Sequence, residues 1–586
     1  MYYPVMASLI YKKKNGREYA YWVRSARVDG KPRIVEQIYL GPKGRFLEEV
    51  KAAYTRGKRP GPCPLQRVRN KEFGATALLW HWAEALGLRE IVDRHVPPPK
   101  KQRRTGLSVG QYLVMAAINR AVNPKSKRAL YDGWYKDSVL SRLWRAKATE
   151  LASPRFWDHM DQVEPAHIEA IQHDLLARLA ERFPLGEETL LYDTTNFFSF
   201  IDTFNERPTL AQRGANKQKR TDLRQLSLAL FEDRETGLPL YHQCYAGHRH
   251  DAAQFPVAWA GLLAAWMGAL ERAPEQLTLV FDRGPTSPKN LRELDRHAVH
   301  SVAGVPASWL PDLLDIERAA YRKLTLPGTK HLKVYRTQRA LWGKERTVLV
   351  VFSPALYRKQ RATMNREQAK VDGRLQALAA KIDAWHTTRR GRGHHEATVR
   401  RKLRRWTTRE HLREVLDYTL EVEAGRVVAL AWAWDRAKKR AIQRRHLGKT
   451  MIVTDRHAWD DVTIVRAYRR LARTEHLFRI SKSRPGLWWP MFHWTDSKIR
   501  VHALYCFFAL LLVAILRLKL GRVGLRISVD RALERLAGID ETLVVYTNGA
   551  ADRVLSERDA TQQQLADALG LFPLARQLGT TVLSAD

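Results

Sequence analysis

Between residues 187 and 305 the hydrophobic pattern changes period in a way few architectures can satisfy. ETLLYDTTNFFSF, LSLALFED and PLYHQCYAG are three consecutive strand candidates, and Glu235-Thr236-Gly237 is the turn between the last two. A helical stretch follows, AAQFPVAWAGLLAAWMGAL. Then come the apolar strand LTLVFDRG, a short helix at 288–297 and another strand, HSVAGV. Three strands of meander followed by alternating helix and strand specify an α/β fold, a mixed sheet with helices on its faces.

Two of these strands run into an aspartate. Asp193 follows Leu190-Leu191-Tyr192, and Asp282 follows Leu279-Val280-Phe281. A carboxylate just past a buried apolar run is held at the rim of a sheet, where it can face solvent or a metal. Hard divalent cations take oxygen ligands of this kind. An aspartate at a strand end also opens a turn or caps a helix, and for either residue alone that plainer role comes first.

A third carboxylate stands in VRAYRRLARTEHLFRISKSRPG. Residues seven apart on a helix return to nearly the same face, so Tyr468, Glu475 and Lys482 form one stripe, each pair roughly 10 Å apart. A carboxylate between a phenol and an ammonium suits a metal-bound phosphodiester, with Glu475 on the metal and Lys482 on a phosphate oxygen. Arg473 and Arg479 add positive charge beside it. The alternative is a solvated basic helix in which Glu475 pairs with Arg479 at i,i+4.

YDTTN around Asp193, VFDRG around Asp282 and Y-x6-E-x6-K from Tyr468 to Lys482, in that order and spacing, resemble the DDE transposases of bacterial insertion sequences. The likeness is to the IS-four-like superfamily and its subgroup with a long insertion before the glutamate. DLRQLSLAL, GLPLYHQCYAG, LGKTMIVTD and PMFHWTDSKIRVHALYCFFALLL extend it over most of the chain. The resemblance implies an RNase H-like core in which the first strand is central and the fourth lies beside it. Asp193 and Asp282 would then be neighbours, and Glu475 would complete a catalytic trio. It also implies two Mg²⁺ or Mn²⁺ ions on these carboxylates, with Tyr468, Arg473, Arg479 and Lys482 on DNA. Two positions depart from the family pattern. Leu471 stands where an arginine often follows the tyrosine, with Arg470 and Arg473 on either side. GHRHD replaces a Gly-Asn segment before Asp251, and His248 to Asp251 read as a loop rather than as a metal or DNA contact.

The 586 residues carry 100 Lys+Arg against 61 Asp+Glu, a formal net charge of +39. A field of that sign gathers polyanions, phosphate backbones first. Cys63, Cys244 and Cys506 are far apart and form no C-x-x-C pair, which fits a reducing cytoplasm rather than a disulfide framework. The N-terminus lacks a secretory pattern. The most apolar run, ALYCFFALLLVAIL at 503–516, is too short to span a bilayer comfortably and reads as a buried core helix. No membrane partner is expected.

Six segments follow. Residues 1–60 form a small β-rich unit with a hairpin at Asp29-Gly30, closed by a linker at 56–64. Residues 70–185 form a helical DNA-binding domain in which Ser108 caps a helix. The catalytic core occupies 187–305 and resumes at 456–525 with the Glu475 helix. An insertion at 306–455 separates the halves, with strands HLKVYRTQ, RTVLVVFS and VVALAWAW around a charged helical stretch at 359–416. Its Trp385, Trp406, Trp432 and Trp434 lie among basic residues and are candidates for stacking on an extruded base. A helical tail fills 526–586.

The expected protein is a transposase that binds the terminal inverted repeats of its element and joins the cut 3′ ends to target DNA. It works as a homodimer on paired ends, in a bacterial cytoplasm at the nucleoid. The competing readings are a domesticated, non-cutting DNA-binding regulator, an RNase H-like nuclease, and an RNA-binding scaffold.

Overall fold

The structure, a computed structural model, describes residues 6–583 apart from 15, 29–30, 49–64, 100–105, 187–188, 203, 217, 219, 328, 473, 475–477, 479–487, 489–490 and 548–549. It divides into two compact units. The first comprises Met1–Ala85, Lys125–Arg155 and Lys519–Asp586, and the second Leu86–Pro124 and Phe156–Leu518.

In the first unit β1 (Met6–Lys14), β2 (Arg17–Val28) and β3 (Lys31–Pro42) make an antiparallel meander. Val28 pairs with Lys31 across Asp29-Gly30, which lie outside the described residues together with the linker at 56–64. β4 (Leu65–Glu72) follows. The helices expected over 70–185 form, but they do not make one module. Gly74–Ala85 belongs to the first unit; Leu88–His95, Val109–Val122 and Pro165–Arg182 belong to the second. Ser108 caps its helix as expected, accepting from the Gln111 amide at 3.2 Å while Gln111 reaches back to the Ser108 amide.

The second unit is built on one large sheet. Its strands are β5 (Thr189–Ser199), β6 (Arg224–Asp233), β7 (Pro239–Ala246), β8 (Thr278–Phe281), β9 (His300–Val305), β10 (Arg322–Leu326), β11 (Thr329–Leu341) and β12 (Lys344–Phe352). After β13 (Leu416–Glu423) and β14 (Arg426–Trp434), which pair only with each other, β15 (Lys449–Thr454) returns to it. The order is β10-β11-β12-β15-β9-β8-β5-β6-β7. Only β5–β8 and β8–β9 are parallel. The first strand of the expected core thus lies beside the fourth, an order compatible with an RNase H-like core.

The segment at 306–455 departs from expectation. β10, β11, β12 and β15 extend the central sheet instead of forming an insertion of their own. What stands apart is 354–446. There the 35-residue helix Pro354–Thr388 presents Met364, Val371, Leu375, Leu378 and Ile382 on one face. These spacings of seven, four, three and four keep one stripe inward. The stripe packs on Val399, Leu403, Val415, Val427 and Leu430, a separate small core.

The apolar run at 503–516 is the middle of the helix Asp496–Arg522, and every residue from 501 to 516 is buried, as expected of a core helix. Phe507 stacks on His242 of β7, with ring centroids 4.6 Å apart. The tail is not all helix. β16 (Asp540–Tyr546) and β17 (Ala551–Leu555) pair with each other, and β16 pairs with β4. Three helices, Val529–Ala537, Ala560–Leu569 and Leu571–Gln577, surround them in sequence.

Candidate active site

Leu190, Leu191, Tyr192, Leu279, Val280 and Phe281 are all fully buried, because β5 and β8 are interior strands covered on both faces. Asp282 follows the last residue of β8, but Asp193 stands within β5 rather than at its end as expected, and Thr195, Phe197 and Ser199 beyond it are buried again. Asp193 is half-buried and Asp282 exposed. Tyr192 is the register partner of Phe281. Asp193 and Asp282 therefore follow a matched pair on parallel neighbours, with backbones about 5 Å apart. Asp193 Oδ1 accepts from the Thr194 amide at 2.7 Å.

Tyr468 joins them. Its helix, Asp461–Arg469, starts at Asp460, whose carboxylate accepts from the Thr463 amide at 2.7 Å. Arg336 and Arg322 hold Asp461 at 3.1 and 3.0 Å. Ile464, Val465 and Ala467 then pack on Leu191, Val280, Val302 and Ile452 of the sheet. Each of the larger side chains stabilises the contact by about 1.5–3 kcal/mol. This seating lets the Tyr468 hydroxyl donate to Asp282 Oδ1 at 2.6 Å. Gly304 of β9 makes room for the ring. A Cβ there would lie 2.3 Å from the Tyr468 hydroxyl oxygen and 2.9 Å from Cζ. Gly304→Ala therefore drives the phenol off Asp282. If the phenol positions a reacting carboxylate, Gly304→Ala lowers DNA cleavage roughly 100-fold and Tyr468→Phe about 10-fold. Wild-type turnover by Gly304→Ala would remove Tyr468 from the site.

Beyond Tyr468, Leu471, Thr474 and Phe478 are buried, at spacings of three and four. Glu475, Arg473, Arg479 and Lys482 lie outside the described residues. Leu471 packs in the core cluster under the sheet. Arg470 is committed elsewhere, donating to the Arg234 carbonyl at 2.8 Å and pairing with Glu235 at 3.2 Å in the β6–β7 turn. It does not stand in for the arginine that Leu471 replaces.

One nearby carboxylate belongs to the GHRHD segment, which the sequence reads as a loop. Asp251 opens the helix Asp251–Leu270, and the Tyr245 hydroxyl donates to its Oδ1 at 2.7 Å. Its Oδ2 lies 3.2 Å from where a Cβ on Gly284 would be, beside the turn that carries Asp282. The Tyr192 phenol is pushed well above its ordinary range by burial, then by Tyr245, Asp251 and Asp193. The GHRHD segment thus ends in an aspartate next to the carboxylate pair.

Two of the insertion's tryptophans hydrogen-bond one carboxylate. The indole N–H groups of Trp432 and Trp434 donate to Asp372 Oδ1 at 2.8 and 3.1 Å. Trp406 packs on the insertion core, and Gly393 sits against the Trp385 ring.

Among the described residues no three His, Cys, Asp or Glu side chains are grouped to hold a metal. Asp193 and Asp282 are nonetheless hard oxygen donors at adjacent rim positions, and they fit a Mg²⁺- or Mn²⁺-class cation.

No family model and no curated protein matches the chain. Among solved structures it is similar to a piggyBac transposase in a synaptic complex with hairpin DNA. The identity is 8% and the TM-score 0.35, over 80% of this chain and 82% of that one.

Proposed function

We propose that this chain is a DDE-type DNA transposase that cuts the ends of its element and joins the 3′ ends to target DNA. One observation carries the reading. Two carboxylates remote in sequence follow paired positions on adjacent parallel strands, and Tyr468, seven residues before Glu475, donates to one of them. Seven residues are two helical turns, so a helical Y-x6-E stretch would give Tyr468 and Glu475 a common face. Asp193, Asp282 and Glu475 would hold the Mg²⁺ or Mn²⁺ pair. When bound, such a pair supplies Lewis acidity and a nucleophilic oxygen for in-line displacement at phosphorus.

The chain's own groups do the rest. The Tyr468 hydroxyl and the Thr194 amide fix one oxygen each of Asp282 and Asp193, orienting the carboxyl groups that ligation needs. Lys482, Arg473 and Arg479 hold phosphate oxygens. Water first attacks the phosphodiester, an O–P bond forms, the P–O3′ bond breaks and a 3′-hydroxyl leaves. That hydroxyl then attacks a target phosphodiester in the same sense. The net charge of +39 holds both duplexes.

Removing the cation separates binding from chemistry. With EDTA the protein retains end DNA in a mobility-shift assay and cuts none of it; Mg²⁺ restores cutting. Supplying a pre-cut 3′ end and a plasmid then yields joined product. Cutting without joining reassigns the chain as a nuclease, and binding without cutting in Mg²⁺ reassigns it as a regulator.

A further inference from the structure

Among the described residues of the second unit the most exposed aromatic side chains lie beyond the end of β5 and at 492–494, not in the insertion. Phe204 is 87% exposed, Phe492 61% and Trp494 46%. They rest on a built foundation. Ser199, the last residue of β5, bridges to Met491, and the Phe200 amide donates to the Met491 carbonyl at 2.9 Å. Beneath them Phe197 stacks on buried Trp488 with ring centroids 4.4 Å apart and planes 11° from parallel. Phe200 meets Phe492 at 6.2 Å. The loop after β5 is tied down as well. The Thr209 and Leu210 amides donate to the Asp496 carboxylate at 3.1 and 3.0 Å, and the Phe204 amide donates to Asp202 at 3.0 Å. A loop held this firmly keeps its aromatics in water rather than folding them under.

The charge around them selects the partner. The Arg207 guanidinium lies 4.9 Å from the centre of the Trp494 ring. Segment 200–224 carries Arg207, Arg213, Lys217, Lys219, Arg220 and Arg224 against Asp202, Glu206 and Asp222. Arg220 is paired with Asp222 at 2.6 Å, whereas Arg207 and Arg213 are in no ion pair among the described residues. Exposed aromatic rings beside guanidinium groups match a strand whose bases stack while its phosphates meet cations.

We propose that Phe204, Phe492 and Trp494, with Arg207, form a stacking surface for unpaired bases of a DNA strand. Six residues of extended β5 separate Asp193 from Ser199, about 20 Å. That is on the order of six nucleotides at 3.4 Å each, so the surface takes bases a short way from the reacting phosphodiester. The inference rests on the DNA-processing reading, but it concerns binding alone.

The test is fluorescence-monitored binding of the full chain in EDTA. The probes are a paired duplex and the same duplex with an eight-nucleotide single-stranded tail bearing 2-aminopurine. Wild type binds the tailed probe more tightly and quenches the 2-aminopurine. Phe492→Ala/Trp494→Ala weakens tailed binding by roughly 10-fold or more, loses the quench, and shifts duplex binding less than 2-fold. Trp494→Phe with Phe492 intact keeps both. Equal weakening on the two probes, or an unchanged quench, overturns the stacking surface and leaves the transposase reading standing. Failure to bind either probe overturns both. A tail preference in a protein that never cuts overturns only the transposase reading.

Discussion

Asp193→Ala, Asp282→Ala and Glu475→Ala should each lower Mg²⁺-dependent cleavage on the order of 10³-fold or more while leaving affinity for end DNA within about 2-fold. Such a loss corresponds to about 4 kcal/mol of transition-state stabilisation. The asymmetry between binding and cutting follows from sign. A carboxylate repels a phosphate, so its removal cannot weaken a phosphate contact; it removes only the means of holding a cation. The same argument separates chemistry from folding. Asp193 and Asp282 follow matched positions on neighbouring strands, and without a cation two such charges repel. Each variant should therefore unfold no earlier than wild type in EDTA. The measurement is cleavage of a labelled end fragment, mobility shift of the same fragment, and a melting curve for each variant. Cutting by all three variants at the wild-type rate would end the assignment. Loss of binding and melting temperature together would mark the residues as structural.

The strands of the core were legible because each contains a short apolar run, and the two aspartates were legible because each follows such a run, although Asp193 stands within β5 rather than at its end. Their adjacency was not in the local pattern. It depends on which strands pair, and Tyr192 meets Phe281 only because β8 inserts between β5 and β9. The same limit explains the insertion. β11 and β12 look alike whether they form a private hairpin or extend the main sheet, and their partner β15 is about a hundred residues further on. β16 is harder still, since its partner β4 lies at the other end of the chain. The setting of the tryptophans was not legible for a different reason. Trp432 and Trp434 sit among basic residues in sequence, but Asp372, some sixty residues earlier, holds both indole N–H groups. Exposed Phe492 and Trp494 drew no notice because HWTD reads as the approach to a core helix. Tyr468 was the most informative residue. Its phase on the helix placed it beside Glu475 in sequence, and its hydroxyl lies on Asp282.

Asp455→Asn should destabilise the central sheet by about 2–4 kcal/mol without touching the reacting groups. Asp455 directly follows β15, and its side chain is 1% exposed. Its Oδ1 accepts from the Ser301 amide at 2.8 Å, and its Oδ2 meets Lys344 Nζ at 2.7 Å and His300 Nδ1 at 2.8 Å. One carboxylate thus clamps β9, β12 and β15 together. Next to it Asp295 takes the fully buried Arg346 guanidinium at 2.5 Å. Breaking a fully buried pair costs about 3–5 kcal/mol. Lys344 is 40% exposed and can turn to water, which lowers the expected loss. The site is remote from the chemistry, because β9 is parallel to β5 and β8 and His300 begins it, whereas Asp193 and Asp282 stand towards the other end. The pH dependence has a definite sign. Burial pushes the Asp455 carboxyl up, but Lys344, the Ser301 amide and His300 outweigh it and hold the group below its ordinary value of 3.8. A carboxylate depressed by folding adds stability above its unfolded pKa and loses it as pH falls through the folded one. The gap between wild type and Asp455→Asn should accordingly be full at pH 7, narrow below about pH 4 and be smallest in stronger acid. Hydrogen exchange of the β9 and β15 amides reads that gap locally, as faster exchange in the variant at pH 7. Equal protection there at neutral pH would show that the clamp carries no stability. A gap that widened on acidification would mean that the carboxylate is raised by burial rather than held down by its partners.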